Sequence, residues 1–434
     1  MRTEQLFPRP KYLDALLKRQ WNERIKVVTG LRRSGKSTLL LKLFRQNLLD
    51  RGVPAEQIIT LSLDEERLSQ LRDPAQLSDY LYSKIQDPAG EYYVLLDEVQ
   101  YAISRAELLN HDQPVRLYGV LNGLLHLGNV DVYVTGSNSK LLSRDIATEF
   151  RGRGDVVAVY PLSFAEFQPL SGLEKHAALE TYLQYGGLPY LLKVAAEEDK
   201  YQYLKDLFDE IYFKDIEERY QVNLPNVLRE LNLVLCSTVG SLTNAGKIAR
   251  TLESVRHLKV DSETIATYLG YLTDSFLFTK AQRFDVKGKR YFSYPAKYYC
   301  TDLGLRNAGL EMRQNEESHL LENCLFNELL CRGCRVDVGV MPLMNKDCAG
   351  HWHQQSCEID FVVNKGARKY YIQSALYMEE ESKIATELRP LHAVNDSFKK
   401  IVISKSYGKS WVDERGILRI NPVDFLLDEH SLER

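Results

Sequence analysis

Apolar positions change their spacing along the chain, and the changes divide it. Short, nearly continuous apolar runs come first: Ile25–Thr29, Tyr92–Asp97, Val130–Thr135 and Val156–Tyr160. Apolar on consecutive rather than alternate positions, they predict strands buried on both faces, as in a parallel sheet covered by helices. After the first run, Thr38–Phe44 carries leucines into a helix expected to end near Gly52. Beyond about residue 205 helical spacing takes over. Asn226–Leu235 and Thr243–Leu252 are amphipathic, and a third helix is expected from Asp261, a good N-cap. Its apolar face is Ile265, Leu269, Leu272 and Phe276. Two β-like runs, Phe276–Lys280 and Lys289–Ser293, follow; three helices and a hairpin predict a winged helix-turn-helix.

The pattern resets near Ser318, an expected N-cap, where Leu321, Leu325 and Leu329 share a helix face. Strands are predicted near Arg335–Val340, over Cys357–Val363 and over Lys369–Ala375. The fold class is therefore α/β, and 434 residues are too many for one ordinary core. The expected divisions are a phosphate-loop, parallel-sheet core over 1–165 and a helical lid or linker over 166–225. A winged-helix domain over 226–305 and an α/β domain over 316–434 complete the chain.

Chemistry enters at the end of the first strand. Residues Gly30 to Ser37 satisfy G-x-x-x-x-G-K-[ST] at every fixed position, in the strand–loop–helix setting that the motif requires. Glycines let the backbone wrap closely, so that consecutive N–H groups and the helix N-terminus face phosphates. The residues expected to contact the nucleotide are Gly30, Arg33, Ser34, Gly35, Lys36, Ser37 and Thr38. Lys36 can reach the β- and γ-phosphate oxygens, and the Ser37 hydroxyl can complete a Mg2+ shell. The second apolar run ends in Asp97 and Glu98, placing a metal-holding carboxylate beside a general base at a strand end.

The third run leads into Gly136-Ser137-Asn138-Ser139. Ser137 and Asn138 are expected to sense the γ-phosphate; Ser139 fits that role and a polar helix cap equally. Arg151 and Arg153, beside Gly152, are placed to stabilise transition-state charge, with an exposed turn of solvated arginines as the alternative.

With these segments in hand, the chain resembles the prokaryotic AAA+ ATPases, related to STAND-type signalling ATPases, that carry a C-terminal domain of unknown function. The matching segments are Gly30–Ser37, Leu96–Gln100, Val134–Ser139, Phe150–Arg153, Tyr160–Phe167 and Gly186–Pro189. The resemblance implies that Arg153 acts as an arginine sensor or finger, in cis or from a neighbouring subunit. It also implies that Gly187 and Pro189 lie near the nucleotide from the lid side.

The last domain resembles the PD-(D/E)XK nuclease fold, in which a helix glutamate, a strand aspartate and an E-x-K motif build a metal site. Glu322 and Glu328 lie on the helix, Glu358 and Asp360 on one strand face. The final motif here is Gln373-Ser-Ala375, which lacks both the carboxylate and the ammonium. A nuclease-like shell kept for binding is the expectation. Cys331, Cys334, Cys348 and His351 have zinc-like spacing, though buried thiols at the end of an apolar helix are the competing reading.

Composition limits the partners. A net charge of −3 excludes a general polyanion binder, so any DNA contact needs a local patch such as Lys287, Lys289 and Arg290 on the expected wing. Asp261, Ser262 and Glu263 suit phosphate poorly, which keeps a protein-binding module open. The first residues lack a secretory signal, no long apolar run predicts a membrane span, and seven scattered cysteines point to a reducing cytoplasm. The expected function is ATP hydrolysis coupled to DNA-related handling. An ATP-dependent switch that binds protein partners and an ATP-dependent nuclease are the rivals. Self-association is compatible with an arginine finger.

Overall fold

The computed structural model describes residues 6–104, 106–107, 115–136, 154–313, 316–346 and 352–434. The chain forms two compact units, Met1–Pro161 with Asp274–Phe276, and Leu162–Thr273 with Leu277–Arg434.

The first unit is built on five parallel strands: β1 (Ile25–Thr29), β2 (Ile58–Ser62), β3 (Tyr92–Asp97), β4 (Val130–Gly136) and β5 (Gly154–Ala158). Their order is β2-β3-β4-β1-β5. β1, β3 and β4 are buried along their whole length, which is why their sequences are mostly apolar, with Lys26, Asp97, Asp131 and Thr135 as buried polar exceptions. β2 escaped the sequence reading: it is an edge strand with Thr60 exposed, and its apolar run is broken. β5 begins two residues before its expected start.

Alternate side chains enter cores on opposite faces. Ile25, Val27, Val94 and Val134 pack with Leu77 and Leu121 on one side. Val28, Leu95 and Tyr133 pack with Leu16, Leu40 and Phe44 on the other. A polar network sits among them: Lys26, fully buried, pairs with Asp131, which also accepts from Tyr133 Oη at 2.8 Å and Trp21 N at 3.1 Å. Burying two charges is tolerable here because each has its partners.

The second unit begins with helices and ends in an eight-stranded mixed sheet. Helices Pro225–Ser237, Ala245–Arg256 and Ser262–Asp274 match the three expected in its middle part, and Asp261 caps the third through the N–H groups of Glu263 and Thr264. Phe276 is not on that helix. Its backbone is left-handed at φ 60°, and the next strand opens only at Phe278. The strands are β6 (Phe278–Asp285), β7 (Arg290–Cys300), β8 (Arg335–Lys346), β9 (Trp352–Lys365), β10 (Arg368–Ala375), β11 (Lys399–Ser404), β12 (Trp411–Val412) and β13 (Ile417–Ile420). They run in the order β12-β13-β11-β10-β9-β8-β6-β7.

The hairpin read as a wing is therefore the edge of this sheet. β6 pairs in parallel with β8, Arg283 opposite Val338. The reason is in β7, which runs seven residues past the expected end at Ser293, through buried Lys297, Tyr298, Tyr299 and Cys300. Helix Glu317–Cys331 packs across β7 to β10. It starts at Glu317 with Glu316 as N-cap, so Ser318 lies inside its first turn and is not the cap.

Candidate nucleotide site

The strand order sets β4 between β3 and β1, so the carboxyl ends of these three strands converge on one crevice. The loop after β1 turns at Gly30 with φ 138°. A Cβ there would come within 2.0 Å of the Val159 carbonyl oxygen, so only glycine fits. Arg33 is exposed and left-handed at φ 66°. Ser34 is buried, and its carbonyl accepts from Arg9 Nη1 at 3.0 Å. Gly35, at φ 97°, is the N-cap of a helical run that opens at Lys36 and continues through Ser37 and Thr38 to Asp50.

Lys36 is buried, and its ammonium donates to the carbonyl oxygens of Gly30 and Leu31, both at 3.0 Å. Burial lowers its pKa, against the opposing pull of Glu98 and Asp97. Asp97, buried at the end of β3, receives the hydroxyls of Thr135 from β4 and Ser37 from the loop helix. Burial raises the Asp97 pKa; the Thr135 hydroxyl opposes that, Glu98 adds to it and the Ser37 hydroxyl opposes it again. Ser62 Oγ, at the end of β2, lies 3.3 Å from Asp97 Oδ2.

Glu98 holds a left-handed backbone, φ 52° and ψ 49°. For a residue with a Cβ this conformation costs about 1–3 kcal/mol. It is held by Glu98 N donating to Thr135 Oγ1 at 3.0 Å, and Gln100 Nε2 donates to the carboxylate. Lys36, Ser37, Asp97 and Glu98 are thus brought together as expected. Thr135 is a functional candidate the sequence reading passed over. Its signal was a hydroxyl at the end of a largely apolar strand, inside the matching segment Val134–Ser139.

Two segments of the chain match described families: residues 22–168 match the AAA domain, and residues 176–316 match a domain of unknown function, DUF8612. An uncharacterized protein of Haemophilus influenzae is 33% identical over 431 residues, covering 98% of this chain and 100% of its own. The chain belongs to the AAA+ P-loop ATPase family.

Solved structures overlap it only loosely. The Aeropyrum pernix ORC1 protein in complex with DNA gives a TM-score of 0.32 at 12% identity, over 71% of this chain and 93% of that one. AMPPCP-bound DnaA from Aquifex aeolicus gives 0.30 at 16%, over 61% and 86%. The DUF8612 match covers the middle of the chain and ends at residue 316, where the expected last domain begins.

Ser137, Asn138, Ser139, Arg151 and Arg153 lie outside the described residues. Gly187 and Pro189 belong to the second unit. There Gly187 N donates to buried Asp302 Oδ2 at 2.8 Å, and a Cβ on Gly187 would meet the Leu162 carbonyl oxygen at 2.3 Å. Gly187 thus has a packing reason of its own.

In the region expected to be nuclease-like, Glu322, Glu358 and Asp360 surround an ammonium that the sequence reading missed. Lys297 of β7 lies 2.9 Å from Glu322 Oε1, 2.6 Å from Glu358 Oε1 and 3.9 Å from Asp360 Oδ1. Tyr299 Oη donates to Glu322 at 2.6 Å and Ser374 N to Asp360 at 2.8 Å. Glu328 points away into an ion pair with Arg332. Gln373 bonds Glu387, and Ala375 is buried in the core. Among the described residues no cluster of three or more His, Cys, Asp or Glu is arranged to hold a metal ion. Cys334 is buried and Cys331 half-buried, while Cys348 and His351 lie outside the described residues. Among the described residues no helix is long and apolar enough to cross a membrane.

Proposed function

We propose that this chain binds ATP with Mg2+ and hydrolyses it to ADP and phosphate. The observation that carries the reading is the convergence of the Ser37 and Thr135 hydroxyls on Asp97, beside buried Lys36 and strained Glu98. Amides of residues 30–38 cradle the phosphates, and the Lys36 ammonium leaves its two loop carbonyls for the β- and γ-oxygens. Ser37 and Asp97 fit a hard, oxygen-seeking cation, directly or through water. When bound, Mg2+ neutralises charge on the phosphate oxygens.

Glu98 takes a proton from water as the water oxygen bonds to the γ-phosphorus. The bond from that phosphorus to the bridging oxygen breaks, and ADP leaves with the electron pair. In this reading Ser137 and Asn138 sense the γ-phosphate, Arg151 and Arg153 meet the transition-state charge, and Gly187 and Pro189 close from the lid side.

The output we favour is handling of DNA. Lys287, Lys289 and Arg290 stand exposed at the tip of the β6–β7 hairpin, where phosphates could reach them. A protein-binding switch is the second reading, favoured by exposed Asp261 and Glu263 at the start of the third helix, which phosphate would avoid. Gel shifts with and without ATP, across a salt series, separate the two. DNA binding through the hairpin weakens steeply with salt, and the triple Ala variant of Lys287, Lys289 and Arg290 flattens the slope. Absence of any shift at low salt favours the protein-binding switch.

A further inference from the structure

The phosphate loop is tied at three points to the segment by which the chain leaves the first unit. Val159 N donates to Thr29 O at 2.7 Å, on the residue before the loop. Gly30 lies so close to the Val159 carbonyl that no side chain fits between them. The third tie is a side-chain clamp. Arg9, only 5% exposed, donates through Nη1 to the Ser34 carbonyl at 3.0 Å and through Nη2 to the Tyr160 carbonyl at 2.8 Å. Its guanidinium stacks 4.5 Å from the ring of Tyr12, whose hydroxyl accepts from Tyr160 N at 3.3 Å.

Arg9 is set in place by its own sequence context. Pro10 is at the start of helix Pro10–Leu17 and keeps Arg9 out of the helical conformation as its N-cap, at φ -129° and ψ 61°, while Tyr12 is buried one turn on. A planar guanidinium can hold two carbonyls at fixed separation; an ammonium cannot. One carbonyl belongs to the phosphate loop. The other is on Tyr160, two residues before the second unit begins at Leu162.

We propose that Arg9 is a positioning residue that makes the loop and residues 159–161 move as one body, so that nucleotide occupancy is read at the exit toward the second unit. This rests on the ATP reading above. Arg9 touches no phosphate in this scheme. It fixes the loop's shape through Ser34 and passes any displacement to Tyr160.

Hydrogen–deuterium exchange on the full chain, with and without saturating Mg2+–ADP, tests it. In the wild-type protein the nucleotide should slow exchange both at residues 30–38 and at residues 158–162. In Arg9→Ala, ADP affinity should fall roughly tenfold, as expected for two lost charge-assisted bonds that hold the loop only indirectly. At saturation its residues 30–38 should still be protected while 158–162 are not. Arg9→Lys keeps the charge over Tyr12 but spans one carbonyl only; it should lose the distal protection too, and it decides the matter if Arg9→Ala fails to fold. Distal protection retained in the folded variants overturns the proposal. Wild-type protection confined to 30–38 overturns it while leaving the ATP reading intact, and no protection anywhere overturns both.

Discussion

Thr135 donates its hydroxyl to Asp97 one strand away, and the same oxygen accepts the backbone N–H of Glu98 at 3.0 Å. One hydroxyl thus orients the carboxylate expected to hold the metal and locks the left-handed backbone of the expected base. Thr135→Val keeps the shape and removes both bonds. Turnover should fall by about 10²-fold, the range lost with a positioned catalytic group, with ADP affinity within a few-fold of wild type. Thr135→Ser should recover most of it. Steady-state phosphate release with ADP titration measures this; unchanged kcat in the Val variant would contradict the assignment.

Lys36 should matter to binding before chemistry. With its ammonium gone, the loop keeps its amides but loses the one buried positive charge aimed at the phosphates. Lys36→Ala should weaken ATP affinity by roughly 10²-fold, the loss of a charge-assisted contact in a poorly hydrated site. Calorimetry reads the change directly, and wild-type affinity would remove Lys36 from the site.

The phosphate loop, its flanking strand and helix, and the Asp97–Glu98 pair were all legible in the sequence. Fixed residue types at fixed spacing leave little freedom, and strands buried on both faces announce themselves as apolar runs. Thr135, Arg9 and Lys297 were not legible, for one shared reason. Each acts across the fold: Thr135 on Glu98 and Asp97, 37 and 38 residues away in sequence, Arg9 on Ser34 and Tyr160, 25 and 151 away, and Lys297 on Glu322, 25 away. No local spacing encodes such pairs. The hairpin of residues 278–300 shows the opposite failure: its local pattern was read correctly as two strands, but a two-strand pattern does not say which sheet they join.

The carboxylate cluster of the second unit depends on Lys297, which is 3% exposed in its side chain. Lys297→Met leaves Glu322, Glu358 and Asp360 without their counter-charge. Unfolding by urea should show a loss of about 3–5 kcal/mol, the range for breaking a buried pair from one side. Adding Glu358→Gln should restore part of it. A loss under about 1 kcal/mol would mean that the cluster is far wetter than its burial indicates.

Asp302 gives the second unit a pH signature. Burial holds its pKa up from 3.8 to about 6, against the pull of the N–H groups of Gly187, Leu305 and Gly304. The folded chain therefore keeps a proton that the unfolded chain releases. The contribution is complete below the unfolded value near 3.8 and is lost as pH rises through about 6, a total of about 3 kcal/mol. Thermal midpoints should fall across that interval on this account, and Asp302→Asn should flatten that part of the curve. An identical slope in the variant would exclude Asp302 as its source.

Single-turnover hydrolysis of Mg2+–ATP by Glu98→Gln is the most direct test of the catalytic reading. The variant should bind ATP with near wild-type affinity and cleave it at least about 10²-fold more slowly, as loss of a general base requires. Cleavage at the wild-type rate would contradict the account.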